Sequence, residues 1–165
     1  MATKLGDVLF VDTNVLLTAS DESRPGHPEA LGLLAGARRS GLHLGLSGQI
    51  LREYLAVATR PVSQNGLGLS PAEALVNINE FRRLVLLYEE NDAVSRRLCR
   101  LVRDAGVQGK RVHDANVAAT MLTHGLATLI TDNPEDFAGF AGIDILSTGD
   151  AFRAVTGATP AGTAG

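Results

Sequence analysis

Gly6-Asp7-Val8-Leu9-Phe10-Val11-Asp12-Thr13-Asn14 decides how the rest of the chain is read. Residues 8–11 are wholly apolar and are framed by Gly-Asp on one side and Asp-Thr-Asn on the other. A run this short with polar punctuation reads as a buried strand, and the Asp-Thr-Asn stops it. Asp12 then stands just past the end of a strand, where open parallel sheets bind their ligands.

Four more runs downstream have the same strand character: residues 42–46, 84–88, 126–131 and 143–146. Helical periodicity fills the gaps. Residues 28–40 place Leu31, Leu34 and Ala35 on one face, and Gly41 follows as a stop. Residues 47–60 carry Ile50, Leu51, Tyr54, Leu55 and Ala58 at helical spacing, with Ser47 as the expected N-cap and Pro61 ending the helix. Ser70-Pro71-Ala72-Glu73 is the best-specified helix start: a capping serine, a proline in the first turn and a glutamate three residues on. Residues 91–105 and 113–124 complete the set, closed by Gly106 and Gly125. Strands alternating with helices imply parallel pairing and right-handed crossovers. The expected fold class is α/β, with three α/β/α layers around a mostly parallel sheet of about five strands.

The chain has 165 residues, of which 45% are hydrophobic. That length suits one domain with a sizeable core. Residues 1–148 are assigned to it, and residues 149–165, rich in Ala, Gly and Thr, are read as a flexible tail with its last eight residues disordered. One cysteine, Cys99, rules out an intrachain disulfide and any multi-cysteine metal site. No apolar run reaches the roughly 18 residues that a membrane span requires, and Met1 to Asp7 lacks the apolar core of a signal peptide. The expected location is therefore the cytoplasm. A net charge of −3 and 4% aromatics argue against a basic nucleic-acid-coating protein and against a stacking platform for single strands.

The acids fall at informative places. Asp12 and Asp132 each follow a strand. Asp114 lies in the first turn of a helix, directly after His113. Glu53 sits in the second turn of its helix among apolar neighbours. Singly, each fits an ordinary cap, turn or solvated helix position. Together they point to one rim of the sheet, and clustered like charges persist only if something compensates them. A divalent cation is the natural compensator. Mg2+ prefers oxygen ligands and keeps several waters, so one or two direct carboxylates suffice. His27, His43, His113 and His124 show no paired ligand spacing, which argues against zinc.

The chain resembles the PIN-domain nucleases, specifically the VapC-type toxins of bacterial toxin–antitoxin pairs. The resemblance rests on four stretches in order. They are Val8-Leu9-Phe10-Val11-Asp12-Thr13-Asn14-Val15-Leu16-Leu17; Ser47-Gly48-Gln49-Ile50-Leu51-Arg52-Glu53-Tyr54 with Ala58-Thr59-Arg60-Pro61; Val112-His113-Asp114-Ala115-Asn116-Val117-Ala118-Ala119; and Leu129-Ile130-Thr131-Asp132-Asn133-Pro134-Glu135-Asp136-Phe137. It implies a PIN-like fold and carries the family's acidic positions onto Asp12, Glu53 and Asp114. The fourth position falls on Asn133, with Asp132 beside it and Asp136 three residues on. A neutral Asn133 there would weaken a second ion. Thr13 and Asn14 look like the polar residues that support Asp12. The resemblance further implies a metal-dependent endoribonuclease acting on structured RNA such as tRNA or rRNA, a homodimer, and inhibition by a small antitoxin protein. On this reading Asp12 and Asp114 hold Mg2+, with Mn2+ as the alternative ion and Asp132 or Asn133 in support. Glu53 orients or deprotonates the attacking water.

Lys110-Arg111, just before His113-Asp114, is the expected phosphate-steering pair. Arg96, Arg100 and Arg103 share one helix face and, with Arg97, either meet RNA phosphates or form a solvated face. Arg24 is a weaker candidate. His113 reads as structural rather than as a proton carrier. The leucines of helices 28–40 and 47–60 belong either to the core or to a dimer or antitoxin groove.

Other classes fit less well. Gly66-Leu67-Gly68 lacks the third glycine and the preceding strand of a dinucleotide fingerprint. Gly45-Leu46-Ser47-Gly48 is followed by Gln49, not by the glycine of a nucleophile elbow. A haloacid-dehalogenase-type phosphatase needs a second aspartate where this chain has Asn14. A non-catalytic RNA- or protein-binding module on a nuclease-like fold is the alternative that the intact acids oppose.

Overall fold

In the computed structural model, which describes residues 6–157, the run after Asp7 becomes the central strand. Strand β1 (Val8–Val11) has Leu9, Phe10 and Val11 fully buried. It pairs in parallel with β2 (His43–Ser47) on one side and β4 (Thr128–Ile130) on the other. β3 (Val85–Tyr88) joins β2, and β5 (Asp144–Leu146) joins β4, both in parallel. The order is β3-β2-β1-β4-β5, five strands that are all parallel. Successive strands move outward to β3 and then restart beside β1 at β4. The switch point therefore lies between the carboxyl ends of β1 and β4, the crevice in which such sheets bind ligands.

Helices α1 (Thr13–Ala19), α2 (His27–Gly36), α3 (Gly48–Ala58) and α4 (Pro71–Leu84) pack on one another, while α5 (Asp92–Ala105) and α6 (Arg111–Thr123) form a separate pair. Right-handed crossovers place these two groups on opposite faces of the sheet, which gives the expected α/β/α layering. Ser70 and Glu73 form both hydrogen bonds of the capping box at the start of α4.

One helix is added and two local expectations are corrected. The strand stops at Asp12-Thr13-Asn14 as expected, and a helix that the sequence did not announce follows: Asp12 caps α1, whose Val15, Leu16 and Leu17 are buried. Two turns are too few for hydrophobic periodicity to declare a helix. Ser47 precedes α3 but makes no side-chain capping bond. The Gln49 N–H is met instead by Glu90 Oε1 at 2.6 Å, a cap supplied from beyond the end of β3. Residues 149–156, assigned to the flexible tail, belong to helix α7 (Thr148–Thr156). Ser147 caps it, Gly157 ends it in the left-handed conformation, and Ala151 and Val155 are buried. α7 packs on α2 so closely that a Cβ at Gly32 would lie 2.3 Å from the Phe152 ring. The Ala- and Thr-rich composition hid a helix that tertiary packing specifies. The expected disorder of the last eight residues lies outside the described residues.

Candidate active site at the switch point

The first acid is fixed by the turn that follows β1. As N-cap of α1, Asp12 accepts the Thr13 N–H through Oδ1 at 2.8 Å. Its Oδ2 accepts the Thr131 hydroxyl at 2.8 Å and the Asn14 amide at 3.2 Å. Thr131 directly follows β4, so this bond joins the two carboxyl ends that flank the switch point. Asn14 Nδ2 also donates to Thr131 Oγ1 at 3.1 Å.

Glu53 comes from the middle of α3 and has both oxygens engaged. Oε2 accepts the Thr13 hydroxyl at 2.7 Å, and Oε1 accepts Gln49 Nε2 at 2.7 Å. Asp114 sits in the first turn of α6, where the helix dipole favours a negative charge. Asp136 stands in a short 3-10 turn, Pro134–Asp136, beyond β4. Its charge acts on both Asp12 and Asp114.

The electrostatics show that these acids share one neighbourhood. Burial pushes the Asp12 carboxyl up, bonds from Thr131 and Thr13 oppose that, and the charges of Glu53 and Asp136 add to it. Asp114 is pushed up to about 6, first by burial and then by Asp136, Asp12 and Glu53, with Arg111 pulling the other way. Asp12 and Asp114 are thus each crowded by the negative charge of neighbouring acids at the switch point.

The donor set fits a hard cation. It consists of carboxylate oxygens, and the buried Asn14 Oδ1 beside Asp12 has no hydrogen-bond partner. Among the described residues, no three His, Cys, Asp or Glu side chains are close enough to enclose an ion by themselves. The fit is therefore to an ion that takes one or two carboxylates and completes its shell with water, as Mg2+ does.

The remaining candidates separate clearly. Asp132 has both oxygens engaged: they accept the Thr148 N–H at 2.9 Å and the Thr148 hydroxyl at 2.7 Å, anchoring the start of α7. Asn133 is exposed and donates its backbone N–H to Thr131 Oγ1 at 3.1 Å, so it braces the hydroxyl that serves Asp12. Lys110 and Arg111 are exposed at the start of α6, which begins two residues earlier than the sequence suggests. The Arg111 guanidinium lies 5.8 Å from the centre of the Phe140 ring, a cation–π distance. His113 is exposed, and its carbonyl accepts Gln49 Nε2 at 2.9 Å. Arg96 pairs with Asp92, Arg103 with Asp104 and Arg24 with Asp21, each with a near neighbour in sequence. Those partners favour the solvated-face reading of the arginine helix. Leu51 and Leu55 pack partly buried against the core, whereas Leu31 on α2 is 46% exposed.

Three contributors escaped the sequence reading: Gln49, Asn116 and Glu90. The spacing of Gln49 four residues before Glu53 puts both on one face of α3 and was the available signal. Glu90 and Asn116 have no local signal, because their partners lie far away in sequence.

A five-stranded parallel sheet with clustered acids at its switch point defines a class, and the chain belongs to the PIN domain family, whose profile matches residues 9–143. Within that family its relatives are VapC proteins. It is 31% identical over 139 residues to Ribonuclease VapC24 of Mycobacterium tuberculosis, covering 81% of this chain and 91% of that protein. The fold is shared with VapBC2 from Rickettsia felis, solved with a DNA fragment from its promoter, at TM-score 0.63 and 14% identity over 85% of this chain and 98% of that one. It is shared likewise with VapC20 from Mycobacterium tuberculosis, described as a toxin that cleaves the sarcin–ricin loop, at TM-score 0.59 and 19% identity over 82% of this chain and 98% of that one. Among the described residues no helix is long and apolar enough to cross a membrane.

Proposed function

We propose that this chain is a metal-dependent endoribonuclease toxin that hydrolyses phosphodiester bonds in structured RNA, tRNA or rRNA, in the cytoplasm. The observation that carries this is the crowding of Asp12 and Asp114 by the charges of Glu53 and Asp136 at the switch point, with Asp114 raised to about 6. Acids arranged at such cost point to a cation-dependent function. The similarity to Ribonuclease VapC24 supports RNA as the substrate.

Asp12 and Asp114 are the residues that would hold Mg2+ or Mn2+, and Asp136 adds negative charge beside them. When bound, such an ion neutralises the phosphate and lowers the pKa of a coordinated water. Glu53, held between Thr13 and Gln49, orients the attacking water and accepts its proton. Arg111, braced against Phe140, and Lys110 meet the phosphate backbone as it enters the cleft.

We assign to the antitoxin the apolar groove of about 420 Å³ between α2 and α4, lined by Leu31, Leu34, Phe81 and Leu84. A solved structure of the same fold from Klebsiella pneumoniae is a toxin–antitoxin complex, which supports a cognate antitoxin here. A homodimer completes the proposed assembly.

The test is incubation of the purified, antitoxin-free protein with total tRNA and rRNA in Mg2+ or in EDTA. Discrete fragments that require the metal support the reading. No cleavage in either buffer, together with no Mg2+ binding by calorimetry, overturns it and leaves a binding module on a nuclease fold.

A further inference from the structure

Gln49 is the buried polar residue that the catalytic assignment leaves without a role. It is only 5% exposed, yet every polar atom of its amide is engaged. Oε1 accepts Asn116 Nδ2 at 2.6 Å. Nε2 donates to Glu53 Oε1 at 2.7 Å and to the His113 carbonyl at 2.9 Å. Its backbone N–H is held by Glu90, which Arg52 in turn holds at 3.1 Å.

This set of partners admits one orientation of the amide. Asn116 Nδ2 is a donor, so it selects Oε1. Glu53 and the His113 carbonyl are acceptors, so they select the NH2 group. Turning the amide over would set donor against donor and acceptor against acceptor inside a buried site, which is costly. Both hydrogens of one nitrogen therefore have fixed directions.

Those directions join two acids. One hydrogen fixes an oxygen of Glu53 on α3. The other fixes the carbonyl of the peptide unit that leads into Asp114 on α6. The other Glu53 oxygen is held by Thr13, next to Asp12. We propose that Gln49 is the positioning residue of the site: its amide sets the orientation of the Glu53 carboxylate and the spacing between Glu53 and Asp114. Its amide atoms are all taken by protein groups, so it acts through Glu53, and this inference rests on the nuclease reading above. Misplacing a reacting group by about 1 Å can cost on the order of 100-fold in rate.

The experiment compares the full-length wild type with Gln49→Met, which keeps length and loses all three side-chain bonds. Gln49→Glu, which sets a second carboxylate against Glu53, and Asn116→Leu, which only releases the amide, complete the set. Folded fraction is measured by circular dichroism. Initial rates on total tRNA are followed in Mg2+ and expressed per folded molecule. For Gln49→Met the expected loss in kcat is about 100-fold, with KM changed less than about threefold. Gln49→Glu, which loses the amide donor to Glu53, falls as far, and Asn116→Leu loses about tenfold, an intermediate effect. A merely structural role reduces the active fraction and leaves kcat per folded molecule unchanged. A rate loss matched by lost folded protein, or a wild-type kcat in Gln49→Met, overturns the inference and leaves the nuclease reading intact. If Gln49→Met does not fold, Asn116→Leu decides on the same kcat and KM. Absence of cleavage by the wild type overturns both.

Discussion

The Thr13 hydroxyl donates to Glu53 Oε2 at 2.7 Å, across forty residues of sequence. Thr13 is the neighbour of Asp12 and its own N–H caps the Asp12 carboxylate. One residue thus sets both the first acid after β1 and the acid of α3. Thr13→Val keeps the shape and removes the hydroxyl. The expected result is a loss of roughly 1.5–3 kcal/mol in stability, the value of a hydrogen bond to a charged group. RNA cleavage should fall about tenfold or more. Urea denaturation and initial rates check both, and unchanged values in both would contradict the coupling.

Asp12 has two separable tasks. As the N-cap of α1 it is an acceptor, and as a site residue it is a charge. Asp12→Asn keeps an oxygen acceptor and loses the charge, so the protein should stay folded while cleavage falls by about 100-fold to 10,000-fold. Asp12→Ala should also lose about 1 kcal/mol from the missing cap. A folded Asp12→Asn with wild-type turnover would place the chemistry elsewhere.

Asp114 makes the ion-free protein sensitive to pH. Its carboxyl is raised to about 6 in the folded chain from an ordinary 3.8, so between those values the folded state binds the proton more tightly than the unfolded state does. Its contribution to stability is therefore favourable at low pH and is lost as pH rises through about 6. Asp12, also raised, acts in the same direction. Relative to wild type, Asp114→Asn should be more stable at pH 7.5 than at pH 5. Mg2+ should raise the wild-type Tm more at pH 7.5 than at pH 5, because it binds the deprotonated acids. Calorimetric scans at both pH values check this, and a Mg2+ effect of equal size at both would contradict it.

Asp132 and Asp136 do different work. Asp132 anchors Thr148 at the start of α7, and Asp136 acts electrostatically on Asp12 and Asp114. Asp132→Asn should cost about 1–2 kcal/mol of stability and leave kcat within about twofold. Asp136→Asn should keep stability and weaken Mg2+ binding. Thermal melts and calorimetric titrations separate the two, and the reverse pattern would exchange their roles.

The assigned antitoxin groove predicts a surface effect without a catalytic one. Leu31 lines it and is 46% exposed, and none of Asp12, Glu53, Asp114 and Asp136 is among its lining residues. Leu31→Asp should cleave RNA like the wild type and resist inhibition by the antitoxin at least tenfold, since the centres of interfaces deplete charge. Inhibition curves with the co-encoded antitoxin check it. Wild-type inhibition of Leu31→Asp would move the docking face elsewhere.

Strand runs such as Val8–Val11 and capping signals such as Ser70-Pro71-Ala72-Glu73 are local, and local chemistry made the sheet and α4 legible before any coordinates. Helix α7 was not legible, because the packing of its Phe152 against Gly32 of α2 is a property of the packed chain. The same division runs through the site. Asp12 stands at a strand end, Asp114 at a helix start and Glu53 among the apolar positions of an amphipathic helix, all of which a sequence displays. The Glu90 cap of α3 and the Gln49–Asn116 clasp each join residues more than forty positions apart, and no pattern in one sequence encodes such pairing. Asp132 follows a strand as a site acid does, and its bond to the Thr148 hydroxyl on α7 is another long-range pairing that the sequence does not display.

The most direct test of the central claim is Mg2+ titration and RNA cleavage measured side by side on wild type, Asp12→Ala and Asp114→Ala. The claim is that the switch-point acids form one ion-dependent nuclease centre. The account predicts that the wild type binds Mg2+ and produces discrete, EDTA-sensitive fragments. Both variants should stay folded, bind Mg2+ at least tenfold more weakly and produce no such fragments. Cleavage and Mg2+ binding that persist unchanged in both folded variants would contradict it.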